Sequence, residues 1–134
     1  MQSESSRRAL GAEKLEQILG QQPADVERNL GDLAPDLAKY IIETVYGDIY
    51  QRPTLDARTR QIVTVAALAT LGTAGPQLRT HIGGARRCGA SREELVEVMM
   101  QLLPYVGLAA AINGVIACRE VFVAEDQESK PSKG

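Results

Sequence analysis

Tryptophan is missing from this chain, and aromatic residues make up only 4% of it, so the core has to be filled by Leu, Ile, Val and Ala. Such side chains favour closely packed helices over an aromatic-rich β-sandwich. Cysteine is scarce as well: Cys88 and Cys118 are the only two, far apart and in no metal-binding or redox spacing, and both read as small buried hydrophobes. Charge of one sign is not in excess. The formal net charge is −2 and the arginines are interspersed with acids, which argues against a nucleic-acid footprint. No apolar stretch opens the chain, so no signal peptide is expected and the cytoplasm is the expected location. The longest apolar run, Leu102 to Cys118, is short for a membrane span and carries Pro104 and Asn113. A buried helix, with its small residues Gly107, Ala109, Ala110, Ala111, Gly114 and Ala117 at a subunit interface, is the reading for that segment.

What is present is helical periodicity almost throughout, and no strand-like alternation competes with it. At 134 residues the chain is long enough for one core. The expectation is an all-α, single-domain bundle of about six to seven helices over residues 9–125, with flexible tails at 1–8 and 126–134. Helices are expected from Ala9 to Leu19, stopped by Gly20, and from Ala24 to Leu30. A third starts at Pro35 and runs to about Tyr50, with Leu37, Ile41, Val45 and Ile49 along one face. It ends before Arg52-Pro53, because the residue before proline is driven out of the helical region. Asp56 then caps a fourth helix whose stretch Ile62 to Leu71 is apolar nearly all round and should be central. A fifth runs from about Pro76 to Cys88. Ser91 and Glu94 form a capping box for a sixth, with Leu95, Val98, Met99 and Leu102 inward and Pro104 interrupting it. The last covers about Tyr105 to Ala124.

The only histidine, His81, lies on the fifth helix between Leu78, Ile82 and Ala85, which share a face at i, i+4, i+7. A group that titrates near neutral pH and points toward a core is either a functional site or a satisfied structural histidine.

The order of several segments then becomes informative. Tyr46-Gly47-Asp48-Ile49-Tyr50-Gln51-Arg52-Pro53 precedes Arg58-Thr59-Arg60-Gln61-Ile62-Val63-Thr64. Leu78-Arg79-Thr80-His81-Ile82 follows, then Cys88-Gly89-Ala90-Ser91 and Tyr105-Val106-Gly107. Together they resemble the carboxymuconolactone decarboxylase family, nearest to its γ-carboxymuconolactone decarboxylase branch, over residues 10–124. The resemblance implies the alkyl hydroperoxidase D-like helical fold, assembled as a homo-oligomer, trimer or hexamer, with sites near subunit contacts.

A second branch of that family uses Cys-x-x-Cys-x-x-x-His with a glutamate one helix earlier. Here the two cysteine positions hold Ala74 and Gln77, and the glutamate position falls near Gln61, so a thiol peroxidase has no nucleophile. The decarboxylase branch implies cofactor-free removal of CO₂ from a small anionic acid, a carboxylated lactone yielding an enol-lactone. Such chemistry asks for a proton donor, a cation for a spectator carboxylate, and donors where charge develops. On the resemblance, His81 is the proton donor and Arg52 the anion anchor, a planar fork suited to a carboxylate. Arg60 is a second cation, Tyr46 and Tyr50 an aromatic wall, and Tyr105 and Gln77 further substrate-binding groups. Each also has a plain structural role: a carbonyl-bonded core histidine, a helix-end charge, an Arg60–Asp56 pair, tyrosines packed in a core. No cofactor, metal, nucleic-acid or membrane partner is expected, since one histidine and scattered carboxylates make no ligand set.

The chain departs from that branch at Pro76-Gln77, where an acid is usual, and at Gly107-Leu108-Ala109-Ala110, where Gly-x-Pro-Ala is usual. Tyr46 and Tyr50 stand for tryptophans, and Thr44 for a histidine. A scaffold reused for isomerisation or cyclisation, a non-catalytic ligand-binding protein and an assembly subunit are therefore the alternative readings.

Overall fold

A computed structural model describes residues 3–130. Among them are seven α-helices and no strand: α1 (Glu4–Leu19), α2 (Pro23–Leu30), α3 (Pro35–Lys39), α4 (Ala57–Leu71), α5 (Gly75–Arg87), α6 (Arg92–Val106) and α7 (Leu108–Glu128). They fall into two compact units, one up to Arg60 and one from Gln61 onward. Residues 4–8, expected in a tail, are the first turns of α1, because Ser3 caps it by accepting the Ser6 amide. Residues 126–128 likewise extend α7. Residues 1–2 and 131–134 of the expected tails lie outside the described residues.

In the N-terminal unit, α1 buries Gly11, Leu15 and Ile18 and stops at Gly20, whose left-handed φ of 66° lets its amide reach back to Glu16 O. Gly11 permits a close helix approach: a Cβ built there would stand 1.9 Å from the Ile42 carbonyl oxygen. The opposing helix departs from the sequence expectation. Beyond Lys39 it widens into a π-helical segment, Tyr40–Tyr46, and a separate 3-10 turn follows at Ile49–Gln51. Its buried residues are Ala38, Ile42, Glu43 and Tyr46, whereas Leu37 and Ile49 are exposed and Ile41 and Val45 are half-buried. The face is thus shifted by one residue, and the wider turn brings Ile42 and Glu43 inward together. The Arg7 guanidinium forks onto Asp48 at 3.0 and 2.7 Å and reaches Thr44 Oγ1 at 3.3 Å, tying α1 to the end of that helix.

The C-terminal unit packs Val65 and Ala69 of α4, Leu78, Ile82 and Ala85 of α5, Leu95 and Met99 of α6, and Ala117 and Cys118 of α7 into one core, with Val98 and Leu102 against it. Gly114 faces Met99 so closely that a Cβ would meet its sulfur at 2.3 Å. The capping box at Ser91 and Glu94 is present. Pro104 does not interrupt α6, which continues to Val106. Proline removes only one amide and its φ suits a helix, so the break falls instead at Gly107, φ 94°. Nor is α4 buried all round: Gln61, Val65 and Ala69 form its buried stripe, while Val63 and Leu71 are exposed. Arg86 pairs with Glu125 at 3.0 Å and Arg92 with Glu125 at 3.1 Å, so one carboxylate on α7 joins the end of α5 to the start of α6. Among the described residues, no helix is long and apolar enough to cross a membrane.

Candidate functional site

His81 stands in mid-α5, held by the buried Leu78, Ile82 and Ala85 around it, the face its periodicity predicts. Its ring is half-buried, and burial holds the imidazole below its ordinary pKa. The partner is Gln61 on α4, fully buried, with Oε1 3.0 Å from His81 Nδ1. An amide oxygen can only accept, so with Oε1 facing the ring Nδ1 carries the proton and Nε2 keeps its lone pair. The pair is a neutral imidazole in a fixed tautomer, one nitrogen committed to the scaffold and the other able to take up and release a proton. Sequence reasoning reached position 61 only as the place where a glutamate is missing. The contact joins residues 20 apart in sequence on different helices, and no periodicity signals it.

In the N-terminal unit, Tyr46 and Tyr50 stack with ring centroids 4.8 Å apart and planes at 22°. Tyr46 is buried and Tyr50 half-buried. Arg52 is exposed in the extended segment before Pro53, and among the described residues its guanidinium has no carboxylate partner. The Arg60 guanidinium donates to the carbonyls of Leu55 and Arg52, both at 3.0 Å, and so pins the loop that carries Arg52. Asp56 caps α4 as expected: the Thr59 amide donates to Oδ1 at 2.8 Å, and bonds from Thr59 hold the carboxyl below its usual range. Gln77, one turn before His81, is exposed, and Tyr105 near the end of α6 is 79% exposed.

The structure therefore brings His81 together with Gln61, Tyr46 with Tyr50, and Arg60 with the Arg52 loop. The remaining sulfur chemistry is muted at Cys118, whose thiol burial pushes up to about 11, so it is protonated at neutral pH.

Residues 35–120 match the carboxymuconolactone decarboxylase family. Over 121 residues the chain is 30% identical to the 4-carboxymuconolactone decarboxylase of Acinetobacter baylyi, covering 90% of each protein. It is also 31% identical over 102 residues to an uncharacterised 15.0 kDa protein of Paracoccus denitrificans, covering 75% of this chain and 76% of that one.

Proposed function

This chain belongs to the carboxymuconolactone decarboxylase family, and we propose that it is a cofactor-independent carboxy-lyase that removes CO₂ from a small carboxylated lactone, with His81 delivering the proton that replaces the lost carboxylate. The observation that carries this reading is the buried amide of Gln61 on His81 Nδ1, which leaves Nε2 of a neutral imidazole as the working nitrogen.

The chemistry fits that state. The bond to the departing carboxylate breaks heterolytically and CO₂ leaves. The electron pair passes through the conjugated double bond onto the lactone carbonyl, and a proton then adds at the carbon next to that carbonyl. One proton is consumed for each CO₂ released. His81 is neutral at rest because burial disfavours its charged form. A substrate bearing carboxylates shifts that balance, since a nearby anion favours the imidazolium. Nε2 takes a proton from water as the anion binds, gives it to carbon, and returns to neutral. Gln61 Oε1 accepts from Nδ1 in both states. Being uncharged, it does not lock the ring in the imidazolium form as a carboxylate would.

Arg52, exposed and without a carboxylate partner among the described residues, is the proposed anchor for an anionic group, and the stacked Tyr46 and Tyr50 are the proposed aromatic contacts. Arg60 shapes the Arg52 loop through its two carbonyl contacts rather than binding substrate itself. Tyr105 and Gln77 contribute once an adjoining copy covers them. The apolar row Leu108, Ile112 and Ile116 along α7, 65%, 47% and 48% exposed, supports such a homo-oligomer, a trimer or hexamer.

Steady-state pH profiles with γ-carboxymuconolactone test the mechanism. Because kcat/KM reports the free enzyme, it declines as pH rises through a pKa below about 6.5, the ordinary value for histidine. The decline in kcat falls at higher pH, where the bound anion has raised the same group. A flat or rising kcat/KM between about pH 5 and 8 rejects His81 as the donor.

A further inference from the structure

We propose that the N-terminal unit carries a second binding site, for a small organic cation with a primary ammonium or guanidinium head, on the buried carboxylate of Glu43. Glu43 is 4% exposed and lines a cavity of about 510 Å³ built entirely from residues between Glu4 and Glu43. The site shares no residue with the decarboxylation reading above.

The charges around this cavity are matched except at one point. Arg8 pairs with Glu27, and Lys39 Nζ with Glu4 Oε1 at 3.2 Å. Arg7 and Lys39 act on Glu43 through space, but the Arg7 guanidinium donates to Asp48 and Thr44 and the Lys39 ammonium to Glu4. The Glu43 carboxylate accepts no hydrogen bond from any described residue, yet its oxygens are not sealed in protein. Glu43 is among the residues that line the cavity. A carboxylate withdrawn from bulk water without donors is costly unless a partner supplies them.

The backbone points the same way. The π-helical segment Tyr40–Tyr46 turns Glu43 inward beside Ile42, and such wide turns recur at functional sites. The chemistry of the lining selects the ligand. Arg8 and Lys39, already paired, flank the one carboxylate that lacks donors. Among the described residues, no group of three or more His, Cys, Asp or Glu side chains is placed to hold a metal ion, which asks for several oxygens. An organic cation asks for one carboxylate and room for its carbon skeleton. Pro35 and Ala38 supply apolar wall, and the volume lies in the range of small-molecule pockets.

Calorimetric titration of the full-length protein with agmatine, putrescine and tyramine tests this, with acetate as the anionic control. At least one of the three amines is expected to bind with Kd below about 1 mM and to shift the Ala38 methyl resonance saturably. The same titration of Glu43→Gln is expected to show affinity at least about tenfold weaker, while Glu13→Gln, an exposed change on α1 outside the cavity, leaves it intact. Failure of all three amines, binding that leaves Ala38 unmoved, equal affinity in Glu43→Gln, or a shift produced by acetate and not by amines each overturns the assignment. Glu43→Gln nearly preserves side-chain shape, and the Ala38 shift in the unmodified protein reads the site without any variant.

Discussion

Replacing Gln61 with glutamate puts a carboxylate where a neutral amide now faces His81 Nδ1 at 3.0 Å. Two unit charges about 4 Å apart in an effective dielectric near 20 attract by about 4 kcal/mol, equivalent to about three pKa units. Part of that is lost to desolvation, because position 61 is fully buried and its new charge must leave water as well. The net expectation is a rise of about one to three units. His81, held below its ordinary value by burial in the unmodified protein, then titrates higher in Gln61→Glu by that interval. The chain has a single histidine, so the imidazole Cε1–H resonance belongs to His81 alone and its midpoint can be read directly from an NMR titration. The same variant should carry the decline of kcat/KM to higher pH by a similar interval. A midpoint at or above about 6.5 in the unmodified protein would refute burial as the controlling influence. A change of less than about half a unit in Gln61→Glu would refute the contact as the means of control.

The same depressed histidine leaves a mark on stability. Between its lowered folded pKa and about 6.5 the unfolded chain binds more protons, so stability falls as pH drops through that interval. Denaturant titrations from pH 7 to 5 should show a steeper loss in the unmodified protein than in His81→Gln, by about 1.4 kcal/mol for each unit of depression, and equal slopes would contradict it. Gly11→Ala drives a Cβ against a backbone oxygen that cannot rotate away, and should destabilise by about 3 kcal/mol in urea unfolding. A cost under about 0.5 kcal/mol would show that α1 can move off its neighbour at little expense. If the exposed α7 row is the contact of the proposed homo-oligomer, Ile116→Glu should give a smaller mass by light scattering at unchanged helix content; an unaltered mass would contradict α7 as such a contact.

Local chemistry was the legible part of the fold. The Ser91–Glu94 box, the Asp56 cap and the Gly20 stop each depend on residues within one turn, and all three are present. Periodicity also placed His81 correctly among Leu78, Ile82 and Ala85, since these four share one regular helix. It failed over residues 35–50 because the register there follows from packing against Gly11, some thirty residues earlier, and from a widened turn that no α-helical template contains. Glu43 is buried there, and nothing in the helical pattern signals it. Pro104 misled for a different reason: one missing amide near a helix end weakens the last turn without ending it, whereas Gly107 adopts a backbone conformation that does. At the candidate site the sequence pointed to the histidine and not to what sets its tautomer. Gln61 acts through a contact across two helices, and its side chain gains meaning only once Oε1 is seen against Nδ1.

Release of CO₂ with His81 as the proton donor is tested by following γ-carboxymuconolactone by NMR with unmodified protein and His81→Ala side by side. The expected result is conversion to the enol-lactone with one CO₂ per substrate, slowed about 10²- to 10⁴-fold in the folded variant, the usual contribution of a positioned acid. Undiminished turnover in His81→Ala, or no CO₂ from folded unmodified protein, would contradict it.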